Sequence, residues 1–217
     1  MTETGSTRKD GMSHGAPTSY RFDAREYDVE AREALLKACA CATPMASAGV
    51  ALAARVLDQF EYFTIVGDTP PDRSVSDALR QGALTCLEAA LVAMDIAFQE
   101  GIPAYLMAMT RRDPTSGGLL GHAAYIYQNA AGLFGSLAFS RHALQGHRMA
   151  EFRSKEDVAI SYAHSYVRLG LMPLCFGIAD AAVVTDGLQW RTNAQHMACL
   201  HARLQETQEF ALEVEFA

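Results

Sequence analysis

One uncharged stretch constrains the fold of this chain more than any other feature. Between Asp113 and Arg141 no residue carries a formal charge, and most are alanine, leucine, glycine or aromatic. Such a segment is expected to be buried, either inside a protein or inside a membrane. Polar residues such as His122, Gln128 and Asn129 interrupt it too often for a helix that faces lipid. We therefore predict that it lies in the core of a soluble domain and that the protein has no membrane partner.

The same stretch is interpreted as one long helix from about Leu119 to Leu144, with Gly146 close to its end. Capping patterns predict the starts of other helices, because Ser74 is followed by Asp77 and Ser154 by Asp157. Apolar runs with proline or glycine at their ends complete the pattern. The predicted helices span about 28–42, 44–60, 74–101, 119–144, 154–170, 173–185 and 194–208, with a short helix or turn over 103–109. The expected fold class is mainly α, a single-domain multi-helix bundle.

Two segments interrupt this helical pattern. Residues 61–66 (EYFTIV) are aromatic and β-branched, and residues 209–216 alternate apolar and acidic side chains, as a half-buried strand does. We predict at most a small β element from these two segments. Residues 1–19 are rich in Gly, Ser and Thr and predict a flexible N-terminal tail, which leaves residues 20–217 as one helical domain.

Composition narrows the classes of partner and compartment. The formal net charge of −7 argues against nucleic acid as the main partner, since phosphate binding needs a basic surface. The five cysteines are odd in number and irregular in spacing, and no apolar signal segment opens the chain. Unpaired thiols and this N-terminal sequence predict a cytoplasmic protein.

Helical geometry suggests a candidate pocket. On the predicted helix over 119–144, His122 and Asn129 lie on one polar, uncharged stripe that Tyr125 flanks, and His147 continues it. Half-buried carboxylates at Glu88 and Asp95 on the preceding helix and at Asp180 further along add titratable groups, and so does the imidazole of His164. We take four residues as catalytic candidates and four as ligand-binding candidates. The catalytic candidates are Glu88, Asp95, His122 and Tyr125, and the ligand-binding candidates are Asn129, Asp180, His147 and His164.

The alternative interpretation is structural. Polar groups on packed helices are commonly satisfied by neighbouring side chains or water, and the carboxylates could form ion pairs or reach solvent. His122 and His147 are 25 positions apart, about 37 Å along a straight helix, so they cannot share a metal ion. No metal site is predicted, and the cofactor stays undetermined.

The chain contains no Walker A, dinucleotide-binding, zinc-protease or nucleophile-elbow motif. We therefore favour a protein-interaction module, of adaptor, chaperone or immunity-protein type, whose acidic surface attracts a basic protein. The expected partner-binding residues are Glu206, Glu209, Glu213 and Glu215 near the C-terminus. The alternative is a helical-bundle enzyme or small-molecule binder that uses the His, Tyr and carboxylate pocket. Whether the chain forms homo-oligomers is left open.

Overall fold

The computed structural model describes residues 23–43, 49–65, 72–98, 103–112, 119–168, 173–207 and 210–211. Two short 3-10 turns, Ala24–Glu26 and Ala143–Gln145, accompany the regular elements. The helices are α1 (Val29–Ala42), α2 (Gly49–Leu57), α3 (Val75–Gln81), α4 (Cys86–Ala97), α5 (Lys155–Arg168), α6 (Ala181–Thr185) and α7 (Ala194–Glu206). The strands are β1 (Glu61–Tyr62), β2 (Ala83–Leu84), β3 (Ala104–Arg112), β4 (Leu119–Gln128), β5 (Phe134–Ala138), β6 (Arg148–Phe152), β7 (Pro173–Asp180) and β8 (Phe210–Ala211).

The fold is built on an antiparallel sheet. Five strands are ordered β6-β5-β4-β3-β7, and the two-residue β8 extends the sheet beyond β7. The longest pairing joins β3 to β4, from Ala104 opposite Tyr127 to Arg112 opposite Leu119. A separate parallel contact pairs β1 with β2. Antiparallel neighbours need only short connections, which suits strands that follow one another along the chain.

Both faces of the sheet are covered. Successive side chains of a strand point to opposite faces, so Tyr125 and Leu137 join the core formed with α1–α4, α6 and α7. On the other face, Ile126 and Met109 belong to a second core whose remaining members include Tyr162 and other buried side chains of α5. The sheet therefore separates a many-helix layer from a layer made by α5.

The prediction of a mainly α, all-α helical bundle is wrong, and the error lies in the uncharged stretch. Of the residues predicted as one helix over 119–144, residues 119–138 instead form β4, a turn and β5. Because these strands are buried on both faces, the side chains that point to either face are apolar, and the sequence shows no alternation of apolar and polar residues. Asn129 makes the turn, since its Oδ1 accepts the N–H groups of Ala131 and Leu133, and Gly132 has a φ of 80°.

Two further helices were predicted where strands occur. The segment 103–109 belongs to β3, and 173–185 divides into β7 followed by α6. The helix predicted over 74–101 is broken: α3 ends at Gly82, whose φ of 71° forms the C-cap. Thr85 then begins α4 in a capping box with Glu88. The same pattern in the sequence indicates a helix start here, whereas the prediction had one continuous helix.

Other local predictions agree with the structure. Ser74 and Asp77 form the capping box that begins α3, and Asn193 caps α7. The Oγ of Ser154 accepts the N–H of Asp157 at 3.1 Å at the start of α5. Strand β8 lies within 209–216 but pairs with β7, not with 61–66. The tail predicted over 1–19 lies outside the described residues. Across the described ranges, no helix combines the length and apolarity needed to cross a membrane.

Candidate functional site

A small cavity lies between the many-helix layer and the sheet. Its interior has about 20 Å³ of space, about what one water molecule needs, and it opens to solvent at its mouth. Its walls come from the first residues of α2, the end of α4, the start of β3 and the last half of β4. The lining residues are Val50, Ala97, Phe98, Ala104, Tyr125, Tyr127 and Gln128. We call this space the tyrosine cavity.

Tyr125 is the polar residue most deeply placed in this cavity. Its side chain is 3% exposed, and its hydroxyl has no hydrogen-bond partner in the part of the chain that the structure describes. Burial raises the pKa of Tyr125, so the hydroxyl keeps its proton at neutral pH. The hydroxyl oxygen itself is not fully buried, so water or another small molecule in the open mouth of the cavity can hydrogen-bond to it. The cavity beside Tyr125 is therefore the natural place for a molecule that would hydrogen-bond to it.

Tyr127 forms the adjoining wall, two positions along β4. Its ring centroid is 6.2 Å from that of Tyr125, and its hydroxyl donates to the carbonyl of Arg148 at 3.4 Å. The side chain crosses β5 at Gly135, where an added Cβ would lie 2.6 Å from the Tyr127 hydroxyl oxygen. Gly135 is thus the residue that lets Tyr127 lie flat across the sheet and reach β6.

Gln128 contributes an amide at the end of β4. Its Nε2 donates to the carbonyl of Gly132 at 2.9 Å, which ties the side chain to the turn that follows. The Oε1 atom then remains as an acceptor. None of the described residues that line the cavity is charged, and they combine apolar and aromatic walls with three uncharged polar groups, those of Tyr125, Tyr127 and Gln128.

The predicted carboxylates lie on α4, but both are used within the core. Glu88 accepts from Arg73 at 2.8 and 2.7 Å and from the N–H of Thr85 at 2.7 Å. Asp95 accepts two hydrogen bonds from Arg191, at 2.9 and 2.7 Å, and one from the Tyr27 hydroxyl at 2.5 Å. Neither carboxylate lines the tyrosine cavity. Their contacts hold α4 in place above the sheet.

His122 and Tyr125 are not brought together. They are three positions apart on β4, so their side chains point to opposite faces of the sheet. The His122 ring lies 5.7 Å from the ring of Tyr162 and 6.3 Å from that of Tyr166, both on α5. Ser136 lies on the same face, 2.9 Å from the Tyr162 hydroxyl. His122 thus belongs to the core beneath α5.

The ligand-binding candidates are dispersed. Asn129 forms the β4–β5 turn, and Asp180 caps α6 by accepting the N–H of Ala182 at 2.8 Å. His147 is exposed, and its Nδ1 accepts the N–H of Ala138 at 3.2 Å. His164 lies on the exposed face of α5. Among the partner-binding candidates, Glu206 is the exposed last residue of α7, while Glu209, Glu213 and Glu215 lie outside the described residues.

Neither a metal ion nor the thiol nearest the start of α4 offers a catalytic centre among the described residues. They contain no group of three or more His, Cys, Asp or Glu side chains that could hold a metal ion. Cys86 begins α4, but it is buried, and this burial raises the pKa of its thiol. It is therefore protonated and inert at neutral pH.

Sequence reasoning found Tyr125 but missed the rest of the cavity. Tyr127 and Gln128 were read as helix positions, and Phe98 and Ala104 were assigned to other helices. The available signal was the run Gln-Asn-Ala-Ala-Gly at 128–132, whose Asn and Gly mark a turn between two strands. Strand periodicity would then have placed Tyr125 and Tyr127 on one face.

Comparison with known proteins adds little to this geometry. No protein-family model and no curated protein sequence matches the chain. One similar solved structure is that of EGTA-treated LapG from Legionella pneumophila, with a TM-score of 0.37 and 12% sequence identity. The alignment covers 85% of this chain and 94% of that one. A likeness at this score carries no argument about function.

Proposed function

We propose that this protein binds a small molecule in the tyrosine cavity. The observation that carries the proposal is the hydroxyl of Tyr125, which stands at the end of an almost fully buried side chain, faces this space and makes no hydrogen bond to the described part of the chain. Ligand sites are typically concave and mostly apolar, with a few placed polar groups. The tyrosine cavity has this composition, and its interior of about 20 Å³ accepts only the polar tip of a ligand, the rest of which would lie in the open mouth.

Binding without catalysis is the more economical proposal. General acid–base chemistry needs a group whose pKa lies near the working pH. Among the described residues that line the cavity, the ionisable ones are Tyr125 and Tyr127, and burial raises the pKa of both away from neutrality. The predicted carboxylates Glu88 and Asp95 lie elsewhere on α4, where Glu88 is paired with Arg73 and Asp95 with Arg191.

Replacing Tyr125 with Phe is expected to weaken binding of a hydrogen-bonding ligand about tenfold, which corresponds to one lost hydrogen bond of about 1.4 kcal/mol. The free energy of unfolding without ligand should not fall, because the hydroxyl has no partner to lose. Titration calorimetry with phenol as probe and urea unfolding measure the two quantities.

The matched control is Tyr105→Phe, the same chemical change on the opposite face of the sheet, where Tyr105 lies beside Phe134. It should leave the affinity for phenol unchanged. Equal affinities for the wild type, Tyr125→Phe and Tyr105→Phe would contradict a role of the Tyr125 hydroxyl in binding.

A second proposal is association with another protein, in keeping with the net charge of −7. The observation that favours it is the outer edge of β6, which pairs with no strand among the described residues and carries Met149, 79% exposed. Open sheet edges accept an added strand from a partner. Glu206 precedes β8, which lies at the opposite edge of the sheet, so Glu206 and the acidic residues that follow it would form a separate contact that favours a basic partner.

Native mass spectrometry of protein purified from its own source should then show a co-purifying chain at fixed stoichiometry. Met149→Lys should abolish that complex, because a lysine on a sheet edge opposes the addition of a strand. The substitution lies on the surface and leaves the core unchanged. Glu151→Gln, on the same strand, is a control that changes another exposed side chain of β6 but adds no lysine and leaves Met149 in place. A complex that survives Met149→Lys would rule out this edge.

We also propose a reducing compartment such as the cytoplasm. Cys39, Cys41, Cys86 and Cys199 are all free thiols. Free thiols persist where glutathione and thioredoxin keep them reduced.

A further inference from the structure

The two ends of the sheet carry opposite charges. Its strand order places β6 at one end and β8 at the other, and neither outer edge pairs with a strand in the part of the chain that the structure describes. Resting on the proposed association through the β6 edge, we infer that the partner is a second copy of this chain. The acidic segment 209–216, which contains β8, pairs with the β6 edge of the next copy.

The region around β6 is basic, although the chain as a whole is acidic. Residues 140–155 contain four Arg or Lys residues and one acidic residue, a formal charge of +3, whereas the whole chain has −7. Arg153 is exposed at the end of β6, and Met149 on the same strand is 79% exposed. An exposed apolar side chain among basic ones suits a segment that is both apolar and acidic.

The segment 209–216 has this complementary character. After Arg203 the sequence contains four acidic residues and no basic one. The residues from 210 onward alternate between two kinds, Phe210, Leu212, Val214 and Phe216 against Ala211, Glu213 and Glu215. In a strand these two sets would lie on opposite faces. Its first part, β8, already pairs with β7, which leaves the outer edge of β8 for another strand.

The two faces of β6 match this alternation. Phe152 packs against the core beneath α5, whereas Met149, Glu151 and Arg153 are exposed. An added strand can therefore place its apolar side chains beside Phe152 and its acidic side chains beside Arg153. Opposite charges on neighbouring strands stabilise their pairing, and like charges oppose it. Arg153 is thus the residue of β6 that should attract Glu213 and Glu215.

The sheet geometry assigns this contact to two different copies. Five strand spacings separate β6 from β8, about 24 Å at about 4.8 Å each, so a segment paired with β7 cannot also pair with β6 of its own sheet. All neighbouring strands of the sheet are antiparallel, so β6 and β8 run in opposite directions. A second copy displaced along the sheet therefore presents its β6 antiparallel to β8.

This contact uses a different surface on each copy. Head-to-tail contacts of this kind can continue from copy to copy, so assembly need not stop at a dimer. Sedimentation velocity of the wild type should therefore show species larger than two chains as the protein concentration rises. Added salt should shift the distribution toward the monomer, because it screens the attraction between exposed charges.

Reversing the charge at either edge tests the pairing. Arg153→Glu changes the receiving edge, and the double variant Glu213→Lys with Glu215→Lys changes the added strand. Each variant alone should sediment as a monomer at concentrations where the wild type assembles. A mixture of the two should form a complex of one copy of each, because one intact contact remains between an unchanged 209–216 segment and an unchanged β6. Native mass spectrometry identifies this complex.

Matched controls make the same reversals away from the sheet edges. Arg25→Glu, and Glu30→Lys with Glu33→Lys, change exposed residues just before and on α1. These controls should assemble as the wild type does. Circular dichroism and thermal unfolding confirm that each variant is folded.

The outcomes separate this inference from the association on which it rests. A wild type that stays monomeric at every concentration, or that stops at two chains, would overturn the second copy as the partner. Folded reversal variants that assemble as the wild type does, or a mixture that stays monomeric, would do the same. A different co-purifying chain that is lost in Met149→Lys would still support association through β6. If that chain is also absent, the proposed association is overturned as well.

Discussion

Replacing Arg191 with Met is expected to lower the free energy of unfolding by about 3–5 kcal/mol, because it leaves a buried carboxylate without its counterion. The Arg191 side chain is 7% exposed and donates two hydrogen bonds to Asp95, which is almost fully buried. Arg191 also pairs with Glu26, and its guanidinium lies 4.0 Å from the ring centre of Trp190. Urea unfolding measures the change.

Two variants control for this result. Arg55→Met makes the same substitution in an ion pair with Asp58 in which both side chains are more than half exposed, and it should cost less than about 1 kcal/mol. Removing both charges, in Asp95→Leu with Arg191→Met, should recover much of the loss, because no unpaired charge remains. Equal losses for Arg191→Met and Arg55→Met would contradict the argument.

The effect of Arg191→Met should also depend on pH. In the folded protein burial raises the pKa of Asp95 from 3.8 to about 6, although the hydrogen bonds and charge of Arg191 oppose the shift. The folded state therefore binds the proton of the Asp95 carboxyl more tightly than the unfolded chain does. The stability that this proton provides is complete below pH 3.8 and is lost as the pH rises through about 6. Without Arg191 the pKa should rise further. The stability difference between wild type and Arg191→Met should then grow between pH 5 and pH 8, and a pH-independent difference would contradict this account.

The second large effect is expected for Gly135→Ala, which should lower the free energy of unfolding by about 1–3 kcal/mol through overpacking. The added Cβ would lie 2.6 Å from the Tyr127 hydroxyl oxygen and 2.8 Å from the carbonyl oxygen of Arg148. The backbone of β6 can move away only by disturbing its pairing with β5. Because Tyr127 lines the tyrosine cavity, phenol affinity should change as well.

Gly121→Ala is the matched control, since it is the same change in the neighbouring strand β4. There the added Cβ would meet one atom within 4 Å, the carbonyl oxygen of Met109 at 3.9 Å, which is an ordinary contact. Its stability should stay within about 0.5 kcal/mol of the wild type. If Gly135→Ala is equally neutral, Tyr127 does not lie across Gly135 as described.

The starts of three helices could be predicted from capping residues in the sequence. Ser74 with Asp77, Ser154 with Asp157 and Asn193 each mark the start of a helix, because a side-chain oxygen within a few residues satisfies a free N–H of the first turn. These interactions are complete within four residues of sequence. No distant part of the chain is needed to form them.

The fold class and the cavity depended on contacts between distant residues. Strands β3, β4 and β7 are covered on one face by α4 and α7 and on the other by α5, so their side chains lack the alternation that identifies a strand. The partners of Glu88 and Asp95 were likewise unknown, since Arg191 is 96 positions from Asp95. Tyr125 could be named as a candidate from the sequence. Whether its hydroxyl makes a hydrogen bond could not be predicted, because that depends on which residues of the sheet and helices surround it. Caps are set by neighbours in sequence, whereas burial on two faces and the satisfaction of a buried polar group are set by neighbours in space.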